Sequence, residues 1–240
     1  MTPADILDSL FPAGHTVTAE GNLSFGTGSM SQTRSVHVIG AGGGGAIGID
    51  EAIRLADHVL ELTKDDHARP ILLLIDTSSQ KMSRRDELLG LSEYLAHLAK
   101  SLLLAEANGH RTIALLHGGS AAGAFIATAL ACGTLVALPG AHPEVMDLPS
   151  MARVTKLPIE VLQEKAKATP VFAPGLENLA QTGAIAETCD PALPLVDQLS
   201  ALLARHHAGY DRAALGQQRG GRPKARMIAD TVLKLAQARG

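Results

Sequence analysis

Two features dominate the hydrophobic pattern: short, unbroken apolar runs, and longer stretches in which apolar positions recur every three or four residues. Ile71-Leu72-Leu73-Leu74-Ile75 and Ile113-Ala114-Leu115-Leu116 are of the first kind. They read as strands buried on both faces. A further strand is expected at 35–39, opening with Ser35 and ending in Gly40-Ala41-Gly42-Gly43-Gly44-Gly45, and another at 134–138. Between them the helical period predicts a helix over about 50–63, N-capped by Asp50, with Ile53, Leu55, Val59, Leu60 and Leu62 as its apolar face. A second helix is expected over about 85–107. It places Leu88, Leu91, Leu95, Leu98 and Leu102 on one face and stops at Asn108-Gly109. Further helices are expected near 122–131, 150–155, 159–168, 176–181, 192–207 and 224–238.

Alternation of buried strands and helices implies an α/β protein with a mainly parallel sheet flanked by helices and joined by right-handed crossovers. The division expected is a peripheral N-terminal extension at 1–35, one domain at 36–207, and a basic linker with a C-terminal helix at 208–240. Within the last piece, 208–223 reads as a linker rich in turn signals. No internal repeat is visible.

Two of the strands end in segments that can carry chemistry. One is followed by Asp76-Thr77-Ser78-Ser79-Gln80, the other by His117-Gly118-Gly119-Ser120-Ala121-Ala122-Gly123. Two strand-to-helix turns, one of them glycine-rich, can aim unpaired backbone N–H groups at a single point. Such groups stabilise an oxyanion without a catalytic side chain. The arrangement points to chemistry on a thioester or a carboxylate.

Composition narrows the setting. The chain has 240 residues, 46% of them apolar but only 2% aromatic and none Trp, so the core must be built from Leu, Ile, Val and Ala. No apolar stretch reaches the roughly 18 residues of a membrane span, and Met1-Thr2-Pro3-Ala4-Asp5 lacks the form of a signal peptide. Cys132 and Cys189 are the only cysteines and sit beside buried-looking sequence, which fits a reducing cytoplasm. The net charge of −3 is uneven: from Arg205 onward the chain carries about +6, the remainder about −9. A basic tail on an acidic body can meet a phosphate-bearing ligand or an acidic partner, or can be a solvated linker and helix.

Several motifs have two readings. Gly40, Gly42 and Gly45 satisfy the dinucleotide pattern G-x-G-x-x-G, but Asp76 lies too far on for a ribose partner, and a flexible turn is the better account. Gly118-Gly119-Ser120-Ala121-Ala122 approximates a hydrolase nucleophile elbow, with His142, His206 or His207 as candidate bases. Against this, Ser120 as a helix cap is preferred. His117 can touch substrate or serve structure, and Asp76 can order its turn or act as a base. The ten histidines show no metal-ligand spacing. Arg219, Arg222, Lys224 and Arg226 lack the stacking aromatics of a nucleic-acid site, so anchoring a phosphate-rich arm or an acidic face is favoured.

Taken together, residues 36–190 resemble the carboxyltransferase branch of the crotonase superfamily, and within it the gamma subunits of biotin-independent malonate decarboxylases. The resemblance is carried by Gly48-Ile49-Asp50-Glu51-Ala52, Leu74 to Gln80, Arg84 to Gly90, Gly118 to Phe125, Val145-Met146, Met151 to Thr155, Gly183-Ala184-Ile185 and Asp190-Pro191. The first 35 residues and the tail beyond about 205 lie outside it. Ser78-Ser79 stand where carboxyltransferases carry Pro-Gly, and Asp147-Leu148-Pro149 replaces a glycine or basic stretch.

The resemblance implies a crotonase-like fold of stacked ββα units and a site shared with a related beta subunit, in a heterodimer or heterotetramer. It implies loss of CO₂ from a malonyl thioester carried on an acyl carrier protein. The carrier's CoA-like prosthetic group would be the substrate arm, with no biotin, metal or directly bound cofactor. By this analogy Gly118, Gly119, Ala122 and Gly123 supply the donors, while Thr77, Ser78, Ser79, His117 and Ser120 line the substrate. No nucleic acid and no membrane span are expected. The alternatives are the C-terminal half or alpha subunit of a biotin-dependent acyl-CoA carboxyltransferase, and a non-catalytic scaffold that docks the beta subunit and carrier protein.

Overall fold

A computed structural model describes residues 1–170, 173–205 and 211–238. Its central sheet has seven strands in the order β1 (Thr18–Glu20), β2 (Leu23–Ser29), β3 (Ser35–Ile47), β4 (Ile71–Gln80), β5 (Thr112–Leu116), β7 (Thr134–Ala137) and β9 (Glu187–Thr188). The pairs from β3 to β9 are parallel, and β1 and β2 join antiparallel at one edge. A second, two-stranded parallel sheet pairs β6 (Gly119–Ala121) with β8 (His142–Glu144).

The unbroken apolar runs have a direct physical reading. Successive side chains of a strand point to opposite faces, and here both faces are covered. Ile71, Leu73 and Ile75 join Ala114, Leu116, Leu135 and Ala137 in a core beneath α2 (Ile49–Leu62), α4 (Leu91–Ala107) and α5 (Ala122–Ala127). Leu72 and Leu74 join Ile113, Leu115 and Val136 in a second core beneath α1 (Pro3–Leu10) and α9 (Leu195–Ala204). Polar alternation is absent because neither face meets water.

The first 35 residues, expected to be peripheral, are integral. Ile6, Leu10 and Phe11 are almost fully buried in the second core, and β2 pairs along its whole length with β3. The signal underweighted was the spacing of Ile6, Leu7 and Leu10, one helical face, behind a Thr2–Asp5 capping box. The glycine run is also not a turn. β3 continues through it to Ile47, with a register shift between Ala41 and Gly45 in its pairing with β4. Gly43 and Gly44 both have φ of +66°, which L side chains adopt at a cost, so the run is a bulge inside a strand. A nucleotide loop has no place there.

Likewise β4 does not stop at Ile75 but runs through Asp76–Gln80, with Thr77 paired to Gly45 and Gln80 to Ile47. The expected helix over 85–107 is two: α3 (Arg84–Leu88) and α4, separated by Gly90 at φ +86°. Leu91, Leu95, Leu98 and Leu102 are buried as expected, whereas Leu88, on the far side of the break, is 75% exposed. The N-cap of α2 is Gly48, whose N–H donates to Glu51 Oε2 at 2.9 Å, and not Asp50, which pairs with Arg85. The remaining helices are α6 (Leu148–Thr155), α7 (Ile159–Ala168), α8 (Leu176–Gln181), α10 (Arg212–Gln218) and α11 (Ala225–Gln237). α10 occupies part of the stretch expected to be linker; residues 206–210 lie outside the described residues.

Asp86 closes the start of α2. Its carboxylate is buried, accepts the Ile49 N–H at 2.9 Å and bonds the Ser83 hydroxyl, and these contacts hold its pKa below the usual 3.8. Replacing it leaves the Ile49 amide unpaired. Asp86→Ala should lower the melting temperature, by on the order of 5 °C, read by circular dichroism.

Acid should act in two stages. Burial depresses the pKa of His37, of His58 and of His117 below the usual 6.5. The unfolded chain therefore binds more protons than the folded one between the folded values and 6.5, and stability falls as pH drops through that window. Asp65, hydrogen-bonded to Arg69, and Asp86 sit below 3.8, so their contribution is lost only as pH falls further. The melting temperature should decline from about pH 6.5 and again below about pH 4. His58→Gln, at a histidine that is not among the groups lowering Asp65 or Asp86, should shallow the first decline without moving the second.

Candidate active site

The far end of β4 and the segment from β6 into α5 run side by side, and what joins them is a seam of side chains. Asp76 Oδ1 accepts the Gly119 N–H at 3.0 Å, the hydroxyls of Thr77 and Ser120 lie 3.1 Å apart, and Gln80 Oε1 accepts the Gly123 N–H at 2.8 Å. Every pair is separated by 43 residues, so the two segments advance in step.

The direction of each amide follows from β8 on the other side. His142 N–H donates to the Gly118 carbonyl at 3.1 Å, and Gly119, Ser120 and Ala121 lie opposite His142, Pro143 and Glu144. Alternation then turns the N–H groups of Ser120 and Ala122 toward β8, and those of Gly119, Ala121 and Gly123 toward β4. The bonds to Asp76 and Gln80 agree with that phase. The two segments therefore lie side by side as parallel extended chains and not as two helix-entry turns, and the amides of Gly119 and Gly123, expected to be unpaired, are each taken by a side chain.

The residues singled out from sequence land differently. Gly118 faces Asp76 so closely that an added Cβ would collide with its carboxylate. Gly119 and Gly123 present amides to β4, each already held by a side chain. Ala122, at φ +50°, opens α5 with its amide turned to β8. Thr77 and Ser120, both 1% exposed, bond one another, so neither hydroxyl reaches open space. This removes Ser120 as a nucleophile and as a cap: the N-cap of α5 is Ala121. Ser78 is exposed, and Ser79 Oγ donates to the Gln80 carbonyl at 3.0 Å.

His117 lines a cavity of about 480 Å³ between α1, β2 and the bulged part of β3, where Asn22, Ser24 and Gly42 also line the wall. His142, passed over as a base, comes close after all: a Cβ on Gly119 would lie 2.9 Å from its Nε2. Its side chain is exposed, and Glu144 two residues on has its pKa raised by burial and by Asp147. His206 and His207 lie outside the described residues. Burial raises the pKa of Cys132 and pushes that of Cys189 up to about 11, so both thiols stay protonated at neutral pH and no thiolate nucleophile is available. Among the described residues no cluster of His, Cys, Asp and Glu fits a metal ion, and no helix is long and apolar enough to cross a membrane.

Gln80 is the residue that sequence reading missed, and Asp76 has a different task from those considered. A polar residue with a side-chain acceptor, 43 positions before a glycine in the first turn of a helix, is the available signal. The basic tail is also partly accounted for: Arg219 donates to the carbonyls of Ala180, Ile185 and Ala186 at 2.6–2.7 Å, and Arg226 pairs with Asp230.

Comparison with known proteins fits this geometry. A 31% identical relative, the malonyl-S-ACP:biotin-protein carboxyltransferase MADD of Malonomonas rubra, aligns over 204 residues, 74% of this chain and 68% of the relative. A Pseudomonas malonate decarboxylase hetero-tetramer solved with coenzyme A superposes with a TM-score of 0.75 at 23% identity, over 98% of this chain and 97% of that one. The MdcD-MdcE hetero-dimer of a Pseudomonas malonate decarboxylase superposes with a TM-score of 0.72 at 22% identity, over 94% and 97%. The first 35 residues thus belong to the shared, crotonase-like fold. The sequence profile of the malonate decarboxylase gamma subunit matches residues 43–236, which takes in the tail placed outside the resemblance. The chain belongs to the malonate decarboxylase gamma subunit family.

Proposed function

We propose that this chain works in the cytoplasm with a related beta subunit to decarboxylate a malonyl thioester carried on an acyl carrier protein. The observation that carries the reading is the seam itself: the backbone amides of Gly119, buried, and Gly123, half-buried, both turned toward β4, with the exposed Ser78 on the same stretch of that strand. In the reaction the bond between the α-carbon and the carboxylate carbon breaks. The carboxylate leaves as CO₂, and its electron pair passes through the α-carbon onto the thioester oxygen as an enolate. A proton then adds to the α-carbon to give the acetyl thioester. An N–H donor aimed at that oxygen is worth roughly 3–4 kcal/mol of barrier. No group bound by this chain has to act as electron sink, because the thioester is its own.

The partner follows from the geometry and the relatives. A site that expels CO₂ gains from excluding water, which a second subunit laid against the exposed Ser78 and the half-buried Gly123 would do. The Pseudomonas MdcD-MdcE structure is a hetero-dimer, which supports the same arrangement here. The carrier's prosthetic arm enters as substrate, with CoA as its closest small analogue.

The co-purified pair, supplied with malonyl carrier protein and no biotin, should yield acetyl carrier protein and CO₂, followed by mass spectrometry. A strict requirement for a biotin carrier would reassign the chain to carboxyl transfer. Asp76→Ala removes the acceptor that holds Gly119. With assembly verified by size-exclusion chromatography, its kcat should fall about a hundredfold, and Asp76→Asn, which keeps an acceptor, should recover most of the loss. Unchanged turnover in Asp76→Ala would make the chain a scaffold.

A further inference from the structure

The cavity of about 480 Å³ that His117 lines owes its shape to two glycines. On the α1 face of the sheet β3 gives Val36 and Val38 to the second core, and then Gly40 and Gly42, which add no side chain. Ile6, Leu23 and Leu74 form a buried floor, and Pro3, Ala19 and Gly43 an exposed rim. The Ser24 side chain reaches over Gly40, where an added Cβ would collide with its Oγ. At Gly42 an added Cβ would meet nothing within 4 Å, so the space opens directly above that residue.

The polar side chains in the wall are Asn22, Ser24 and His117. Among the described residues the Ser24 hydroxyl and the His117 ring have no hydrogen-bond partner, and Asn22 Nδ2 reaches only the Ala46 carbonyl, at 3.4 Å. All three are neutral at physiological pH, because burial depresses the pKa of His117 below the usual 6.5. No Lys or Arg lines the wall among the described residues. Asp76, two residues beyond Leu74 on the same face of β4, acts electrostatically on His117 and opposes a further negative charge there.

We propose that this cavity binds a neutral aliphatic chain bearing an amide, the amide bonded by Ser24 and His117, and that the chain is the prosthetic arm of the acyl carrier protein. The inference rests on the decarboxylase reading above and adds to it the place on this subunit where the arm lies. The volume falls within the roughly 300–1,000 Å³ of small-molecule sites, and the floor is apolar. A hydroxyl and a neutral imidazole each donate and accept, which matches an amide's N–H and C=O. A carboxylate offers acceptors alone and would lose its water with no cation to meet it. The backbone of His117 is fixed by its N–H on the Ile75 carbonyl at 3.0 Å, and Gly118-Gly119 follow it directly, with the Gly119 N–H on Asp76 Oδ1. A chain held at His117 therefore lies next to the seam.

The test uses the assembled complex with its beta-type partner. Calorimetry measures the binding of pantetheine, a neutral chain with two amides, and compares the neutral alcohol panthenol with the carboxylate pantothenate, which shares its amide-bearing body. Pantetheine and panthenol should bind, and pantothenate should bind about tenfold more weakly than panthenol or worse. Gly42→Leu fills the cavity and should weaken pantetheine about tenfold or more, whereas Ser24→Ala should weaken it about threefold to tenfold. On malonyl carrier protein Gly42→Leu should lower kcat/KM about tenfold, while malonyl methyl thioester, which has no arm, should turn over as in the parent. Thermal melts within a few degrees of the parent confirm folding; where Gly42→Leu fails that check, Ser24→Ala decides by the same readouts. No binding of pantetheine to the parent, pantothenate as tight as panthenol, unaltered pantetheine binding in the variant, or an equal loss on both substrates overturns the assignment and leaves the decarboxylase reading standing. A parent complex that binds pantetheine, loses it in Gly42→Leu and does not turn over malonyl carrier protein removes that reading, and with it the carrier as the source of the chain.

Discussion

The structure depends on one constraint: two extended segments that lack a continuous backbone ladder between them must still be held in register. Asp76, Thr77 and Gln80 do this with side chains, each reaching the residue 43 positions later. A backbone ladder would have consumed the amides of β6 on both edges. Side-chain acceptors satisfy the same amides but can be exchanged one at a time, and their charge can be chosen position by position. The seam therefore combines the buried Thr77–Ser120 pair with one charged acceptor, Asp76, and one neutral acceptor, Gln80.

Much of this was legible beforehand. Apolar runs such as Ile71–Ile75 could only be strands covered on both faces, and the helical period named Leu91, Leu95, Leu98 and Leu102, all buried; of the five positions it named on α2, Leu55 and Val59 are buried while Ile53, Leu60 and Leu62 are only partly so. What was not legible came from context that single-sequence patterns do not carry. Asp76–Gln80 and Gly40–Gly45 look like turns because their residues are polar or glycine. Pairing with neighbours on either side nevertheless keeps both extended, β3 and β4 running on together past their apolar cores. Ser120 looked functional because glycines surround it, and a hydroxyl partner 43 residues earlier, invisible in any local window, removes it from solvent.

The charges tell a similar story. The C-terminal excess of basic residues suggested a surface for phosphates or acids, yet several arginines are used against backbone. Arg219 holds three carbonyls of the segment 180–186, Arg212 holds those of Leu130 and Cys132, and Arg111 holds those of Leu202, Leu203 and Arg205. A guanidinium's fork of donors suits such carbonyl clusters. Net charge along a chain thus describes its surface poorly when cations serve as interior staples.

The bulge in β3 sets how this strand can vary. At Gly42, Gly43 and Gly44 an added Cβ would meet nothing within 4 Å, so room is not what excludes larger residues. Gly42 has an ordinary backbone and would accept alanine or serine, while Gly43 and Gly44, both at φ +66°, admit little beyond asparagine or aspartate. In a library of variants the four consecutive glycines would separate into a permissive Gly42, a Gly43 and Gly44 restricted by torsion angle, and a Gly45 restricted by the Asn22 side chain that an added Cβ would meet.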